Sequence, residues 1–289
     1  MLINKSFVLL SSFPSSKTGF DTLKRAVEFI KPYDFSMVEY YCENCDADHV
    51  RNLMGGYRSV FLAAALQKDQ ALNLCAPAAE DRKKAVNVLA ECFRFARQAG
   101  AEAVLINSGT RPDNDEQDAL CLEYLKDSVC ELHHRVSGIP ILLEPGDRDI
   151  QYRHLIGHTD MAVSFIEDIR SEVPCISLVF DISHIAQLNE NLYSSWEIAK
   201  KHCSHIHLAN CVLDRNSPLF GDKHPLFGVK DGIYTHDTAR AFYQHLQMEN
   251  SSLSVGIEMI CSEDSEQSFF ERFAAETGWF FQQKYPARF

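Results

Sequence analysis

The sequence has little of the features that define several large classes of protein. No apolar run approaches the roughly 20 residues that span a bilayer, and the run at residues 7–10 is too short for a signal peptide. No linker rich in proline, glycine or serine divides the chain. These absences predict a cytoplasmic protein without a membrane segment, folded as a single domain over residues 1–289.

Basic charge is also scarce. The chain has 28 lysines and arginines against 40 aspartates and glutamates, a formal net charge of −12, and its basic residues form no long block. Such a surface repels phosphate backbones, so the composition argues against a nucleic acid as the partner. The sequence does not set the oligomeric state, and a homodimer or a homotetramer stays open.

The ten cysteines are irregularly spaced, and the only close pair is Cys42 and Cys45. A CxxC pair can be redox-active or can supply half of a zinc site, but structural zinc needs a second pair of ligands nearby. Reduced, mostly buried thiols are the interpretation that we favour.

Short apolar runs alternate with longer helical patterns along the chain. The runs predict eight buried parallel strands, at residues 6–12, 35–41, 59–64, 101–107, 139–144, 176–181, 205–209 and 253–258. Eight consecutive βα units favour a closed (β/α)₈ barrel, or TIM barrel. An open doubly wound sheet is the alternative, but it usually brings a GxGxxG or Walker glycine loop, and neither is present.

Potential metal ligands stand at the ends of the last four predicted strands: Glu144, Asp181, His207 and Glu258. Active sites of barrels are built where the C-terminal strand ends meet. Each residue alone is more often a helix cap or an ion-pair partner, but three carboxylates in one mouth would repel one another and lose hydration unless a cation binds them. The four therefore predict one divalent ion, with Mn²⁺ the first candidate and Mg²⁺, Co²⁺ or Zn²⁺ as alternatives.

The segments LLEP, FDISH, HIHLAN, GDKHPLFG and GIEMI resemble the xylose isomerase-like barrel superfamily, which includes ketose 3-epimerases, inosose-processing enzymes, hydroxypyruvate isomerases and endonuclease IV. The resemblance is close in the C-terminal half and extends to the N-terminal half only through its βα rhythm. The epimerase pattern implies that Glu144, Asp181, His207 and Glu258 bind one metal ion. It also implies that His184 hydrogen-bonds substrate oxygens near that ion.

The endonuclease pattern implies a larger site, matched here at Glu144, Asp181, His184, His207, Asp222, His224 and Glu258. That pattern also expects histidines at the ends of the third and fourth strands. The sequence there is FLAAA and LINS, without a histidine. The missing ligands and the acidic composition argue against a trinuclear zinc site.

The expected reaction is the isomerisation or epimerisation of a small ketose or related polyol through a metal-stabilised enediolate. Glu258 is expected to remove the proton next to the carbonyl, and Glu144 to deliver a proton from the other side. An endonuclease IV-like phosphodiesterase on abasic DNA and an inosose dehydratase-like lyase are the alternatives. The lyase shares the proton abstraction, so the sequence barely separates it from the isomerase.

Other polar residues are weaker candidates for substrate contact. Glu39 and Asn107, near the ends of the second and fourth strands, could bind sugar hydroxyls. Arg215 could clamp a hydroxyl or a phosphate, although a solvated surface arginine is the simpler interpretation. Its loop, residues 210–234, is long enough to predict a lid.

Overall fold

The computed structural model describes residues 3–249, 252–262 and 265–281. Eight parallel strands form a closed barrel in chain order, and β1 pairs with β8 to complete it. The strands are β1 (Asn4–Val8), β2 (Met37–Tyr40), β3 (Arg58–Leu62), β4 (Ala103–Asn107), β5 (Ile141–Glu144), β6 (Ile176–Asp181), β7 (Cys203–Leu208) and β8 (Ser254–Ile257). The predicted barrel is confirmed, and each predicted strand overlaps an observed one.

Helices connect the strands and cover the outside of the barrel. Those in the described residues are α1 (Leu9–Ser12), α2 (Phe20–Ile30), α3 (Ala47–Met54), α4 (Ala63–Asp69), α5 (Ala79–Gln98), α6 (Asp118–Arg135), α7 (Thr159–Ile169), α8 (Ile182–Gln187), α9 (Leu192–Ala199), α10 (His236–Met248) and α11 (Glu266–Glu276), with short 3₁₀ turns at Pro14–Thr18 and Asp115–Gln117.

The first predicted strand is too long at its C-terminal end. The prediction runs to residue 12, but β1 ends at Val8 and the chain turns into α1. The amide of Phe13 donates to the carbonyl of Leu9 at 2.8 Å, closing a helical turn. A short apolar run does not by its pattern distinguish a strand from a buried helical turn, which is why the sequence missed this boundary.

Aromatic side chains pack β1 against α11 at the place where the barrel closes. The ring of Phe7 on β1 contacts Phe270 on α11 edge-on, with centroids 5.6 Å apart, and Phe273 at 6.2 Å. Such offset and edge-on pairs add about 0.5–1.5 kcal/mol each beyond the area they bury. This packing fixes α11 against β1 and so supports the β1–β8 pairing.

The tryptophans and cysteines take structural positions. Trp196 packs edge-on against Phe180, and Trp279 lies against Tyr243. All ten cysteines are free thiols, and burial raises the pKa of Cys42 and Cys45. In the described part of the chain, no cysteine belongs to a cluster with metal-binding geometry, and no helix has the length and apolar character of a transmembrane span.

Candidate metal centre

The four predicted ligands converge at the C-terminal mouth of the barrel. One donor atom from each of Glu144, Asp181, His207 and Glu258 can be chosen so that all lie within 4.8 Å of one another. The strand register accounts for part of this convergence, because Asp181 pairs with His207 across β6 and β7. Glu258 comes two residues after Gly256, the partner of His207 across β7 and β8, and all four residues lie at the C-terminal ends of their strands, where barrel sites are built.

The imidazole of His207 lies at the centre of this cluster. Its Nδ1 is 2.8 Å from Glu144 Oε1, 3.1 Å from Glu258 Oε2 and 3.8 Å from Asp181 Oδ2. Burial opposes protonation, but the carboxylates of Glu39, Glu144 and Glu258 outweigh it and raise the pKa of His207 well above its ordinary value. Negatively charged carboxylate oxygens therefore surround His207 Nδ1, and a cation could be held at the same place.

Asp181 provides the sharpest test of whether a metal fits. Its Oδ1 accepts hydrogen bonds from the amide and hydroxyl of Ser183, both at 2.6 Å, and so caps α8. Its Oδ2 is buried and has no hydrogen-bond partner among the described residues. A buried carboxylate oxygen left without a donor costs several kcal/mol. A divalent cation among these oxygens and the His207 nitrogen removes that cost, so the residues present fit such an ion.

Glu258 is held from both sides. The hydroxyl of Ser11, on α1, donates to Glu258 Oε1 at 2.8 Å. Its Oε2 lies 3.1 Å from His207 Nδ1 and 3.5 Å from His224 Nδ1. Burial alone would raise the pKa of Glu258, but His224 and His207 outweigh it and lower the pKa well below the ordinary value. Glu258 is therefore ionised, as both a metal ligand and a base must be.

The structure does not place Glu39 where it was expected. Its side chain is fully buried and does not line the cavity; the carboxylate lies 2.9 Å from His205 Nε2 and 2.8 Å from His207 Nε2. Burial would raise the pKa of Glu39, but the two imidazoles outweigh it and lower the pKa. The predicted contact of Glu39 with sugar hydroxyls is wrong for this geometry, and Glu39 instead positions the ring of His207.

A second polar cluster adjoins the first. His184 Nδ1 donates to the carbonyl of Pro145 at 2.8 Å, and its Nε2 lies 3.2 Å from Asp222 Oδ1. His224 Nε2 lies 2.6 Å from the same Asp222 oxygen. Burial lowers the pKa of His184, but Asp181 and Asp222 outweigh it and raise that pKa to about 10.

The second cluster also has metal-binding geometry. Donor atoms of Asp181, His184 and His224 lie within 4.8 Å of one another. The loop after β7 supplies His224 and Asp222, and the amide of Asp222 donates to Gln151 Oε1 at 3.0 Å. This loop therefore forms a wall of the site, while its movement as a lid stays a prediction.

A cavity of about 510 Å³ opens above both clusters. This volume lies within the range of about 300–1,000 Å³ typical of pockets for small molecules. Asn107 lines the cavity, and its Oδ1 accepts a hydrogen bond from the amide of Gly109 at 3.0 Å; its contact with a sugar hydroxyl stays a prediction. Arg215 does not line the cavity: it is exposed, with its guanidinium 5.5 Å from the ring centroid of Phe220. The structure thus places Arg215 on the surface, away from the cavity lining.

The sequence analysis missed several cavity residues, among them Lys68 on α4, and Tyr152 and His154 in the loop after β5. Burial lowers the pKa of Lys68, but Tyr152 and the more distant Asp222 and Glu258 outweigh it and leave that pKa above its ordinary value. None of the three stands at a strand end, which was the position that the sequence analysis searched.

The closed parallel barrel, with acidic and imidazole side chains at its C-terminal mouth, defines a TIM-barrel protein of the kind that builds its site from strand ends. The chain belongs to the family described as xylose isomerase-like TIM barrel, whose sequence model matches residues 15–273. No curated protein matches the sequence.

Solved structures share the fold at low identity. An AP endonuclease, family 2, from Brucella melitensis is 17% identical with a TM-score of 0.67, over 95% of this chain and 99% of that one. D-Psicose 3-epimerase with D-tagatose, from Clostridium cellulolyticum H10, is 12% identical with a TM-score of 0.67, over 96% of each chain. An L-ribulose 3-epimerase is 14% identical with a TM-score of 0.72, over 96% of this chain and 94% of that one.

Proposed function

We propose that this protein is a divalent-metal-dependent isomerase or epimerase of a small ketose or related polyol. The observation that carries the proposal is the convergence of three carboxylates on His207 Nδ1, with one oxygen of Asp181 buried and lacking a hydrogen bond. The similarity in fold to proteins described as 3-epimerases of psicose and ribulose supports the choice of substrate class.

Glu144, Asp181, His207 and Glu258 would hold the ion. A divalent cation there supplies Lewis-acid polarisation of a substrate carbonyl, which makes the neighbouring C–H acidic enough for a carboxylate to remove its proton. Mn²⁺ is the first metal to test, followed by Mg²⁺, Co²⁺ and Zn²⁺.

The protein's own side chains move the protons. Glu258, ionised and steadied by the Ser11 hydroxyl, takes the proton from the carbon next to the carbonyl. Glu144 returns a proton to the same carbon for epimerisation, or to the former carbonyl carbon for isomerisation. Asp181 is fixed by Ser183 and cannot swing, so its role is to bind and not to shuttle protons.

His184 stabilises negative charge on the substrate, but not as a free donor. Both of its ring nitrogens are already engaged, Nδ1 with Pro145 and Nε2 with Asp222 at the longer distance of 3.2 Å. A substrate oxygen would share the Nε2 proton with Asp222. Protonated His184 then contributes positive charge to the developing enediolate.

A phosphodiesterase is the second candidate, because Asp181, His184 and His224 could hold a further metal ion. The ends of β3 and β4, at Leu62 and Asn107, offer no histidine, and the chain carries a net charge of −12. These two facts place the phosphodiesterase behind the isomerase. The dehydratase-like lyase begins with the same proton abstraction as the isomerase and differs in the later loss of water. Analysis of the products therefore distinguishes the two reactions.

The test is proton exchange in deuterated water with Mn²⁺-loaded protein and a panel of ketoses and inososes. We expect deuterium to enter at the carbon next to the carbonyl of at least one ketose, detected by NMR and mass spectrometry. Chelator-treated protein should lose the exchange, and Arg215→Ala, altered on the loop surface, should keep it. A metal-loaded protein that exchanges no ketose proton but eliminates water from an inosose, or cleaves abasic DNA, would overturn the proposal.

A further inference from the structure

The end of the cavity beside α4 carries a lysine that the proposed proton chemistry does not use. Lys68 lines the cavity, and its Nζ lies 4.3 Å from the ring centroid of Tyr152. A cation at this distance over an aromatic face is held by the ring quadrupole, an interaction of about 0.5–2 kcal/mol. The ammonium group is thus kept at the wall of the cavity by a neutral partner.

Tyr152 is a rigid support for this lysine. The loop after β5 is fixed by Asp147, whose buried carboxylate accepts the backbone amides of Ile150, Gln151 and Tyr152, each at 2.8 Å. The ring of Tyr152 also stacks on His154, with centroids 6.0 Å apart. A platform built this way holds its position without a ligand, which reduces the entropy cost of binding one.

The other polar groups on this wall are largely satisfied by the protein itself. The Gln67 amide exchanges two hydrogen bonds with the backbone of Asn107, at 3.0 and 3.1 Å. The Asn73 amide donates to Thr110 and accepts from Cys75. These side chains shape the wall but have little hydrogen-bonding capacity left for a ligand.

The other cavity lysine is also paired. Lys17 Nζ lies 2.8 Å from Asp69 Oδ2 in an ion pair. Lys68, by contrast, makes no ion pair within the residues that the structure describes. Its ammonium group, supported by the neutral Tyr152, is therefore a positive charge on the cavity wall that no carboxylate among these residues pairs with.

We propose that Lys68, supported by Tyr152, is a binding site for an anionic group of the substrate, so that the protein acts on a sugar bearing a carboxylate or a phosphate. Glu144, Glu258 and Asp222 give the cavity negative charge, and an anionic group entering it needs a cation to meet. This inference rests on the proposed function for the claim that the substrate is a sugar. The anion site itself is tested by binding and does not depend on turnover.

The test is direct binding, measured by calorimetry on protein loaded with one metal and checked for metal content. The probes are D-fructose, D-fructose 6-phosphate and 5-keto-D-gluconate, which offer a neutral, a phosphorylated and a carboxylated ketose. The variants are Lys68→Met, which removes the charge but keeps the length, Lys68→Arg, which keeps the charge, and Lys17→Met as the matched control.

We expect one of the two anionic ketoses to bind at least about tenfold more tightly than D-fructose, with a preference that weakens as salt is raised. Lys68→Met should abolish that preference and leave D-fructose binding unchanged, while Lys68→Arg and Lys17→Met keep it. The better anionic probe identifies the group as phosphate or carboxylate.

Equal binding of all three ketoses overturns the inference, as does no binding of either anionic probe. A preference that survives in Lys68→Met also overturns it, because the metal ion alone then attracts the anion. Loss of deuterium exchange with retained Lys68-dependent binding would reject the proposed reaction and leave the anion site standing.

Discussion

The Nε2 of His207 lies 2.8 Å from Glu39 Oε2, below the floor of the cavity, while its Nδ1 faces Glu144 and Glu258. A carboxylate that holds the proton on Nε2 leaves the Nδ1 lone pair available to a metal ion. Gly256 makes the contact possible, since a Cβ there would lie 2.4 Å from Glu39 Oε1. Glu39 is therefore placed to set the tautomer and the direction of the His207 ring, without itself lining the cavity where a metal ion would bind.

Replacing Glu39 with glutamine should weaken metal binding while preserving the fold. The amide can still hydrogen-bond His207, but it loses the charge that fixes the Nε2 proton, so we expect affinity for Mn²⁺ or Zn²⁺ to fall about 10–100-fold. Calorimetry measures the affinity and circular dichroism the fold. Glu80→Gln, on the exposed first turn of α5, is the control and should bind as the unaltered protein does. Equal affinities in all three proteins would show that Glu39 does not act through His207.

The Asp181→Asn substitution distinguishes the role of Asp181 as the cap of α8 from its proposed role as a metal ligand. Asparagine caps helices about as well as aspartate, so the metal-free protein should not lose stability through the cap of α8. The charge at Oδ2 is lost, so the stabilisation by added metal, about 2.7 kcal/mol at 100 times the dissociation constant, should largely disappear. Thermal unfolding with and without metal measures both effects. A variant stabilised by metal as much as the parent protein would remove Asp181 from the ligand set.

His154 should make stability depend on pH below neutrality. Burial is the main reason that the pKa of His154 is lowered from 6.5 to about 4. The unfolded chain takes up this proton near pH 6.5 and the folded chain only near pH 4, so its contribution is complete above 6.5 and is lost as pH falls through that window. Between about pH 7 and about pH 5 we expect a loss on the order of 2 kcal/mol from this group.

Urea unfolding of chelated protein at the two pH values measures this loss, with His154→Gln for comparison. Chelation removes the pH dependence of metal binding from both proteins. The variant should lose less stability than the parent by that amount, because glutamine does not titrate. Equal losses in the two proteins would place the proton uptake elsewhere.

The sequence predicts the barrel and the convergence of the four candidate ligands because both signals are local. An apolar run that ends in Glu144 or Asp181 carries its own evidence, and parallel strands bring such ends together. Glu39 has the same local signal, but its side chain points inward to His205 and His207, where Gly256 leaves room for it. These three residues lie on strands far from Glu39 in the sequence, so the local pattern could not reveal them. Lys68 lies past the end of β3 on α4, and only the folded loop after β5 places Tyr152 beneath it.

Metal content per chain tests the central claim most directly. Protein purified without chelators is analysed for elements beside a Glu258→Ala variant, each also after incubation with Mn²⁺ or Zn²⁺. The account predicts about one divalent ion per chain, lost or much weakened in the variant. About three zinc ions per chain would favour the phosphodiesterase instead. No metal in either protein, even after incubation, would contradict the metal centre and the reaction built on it.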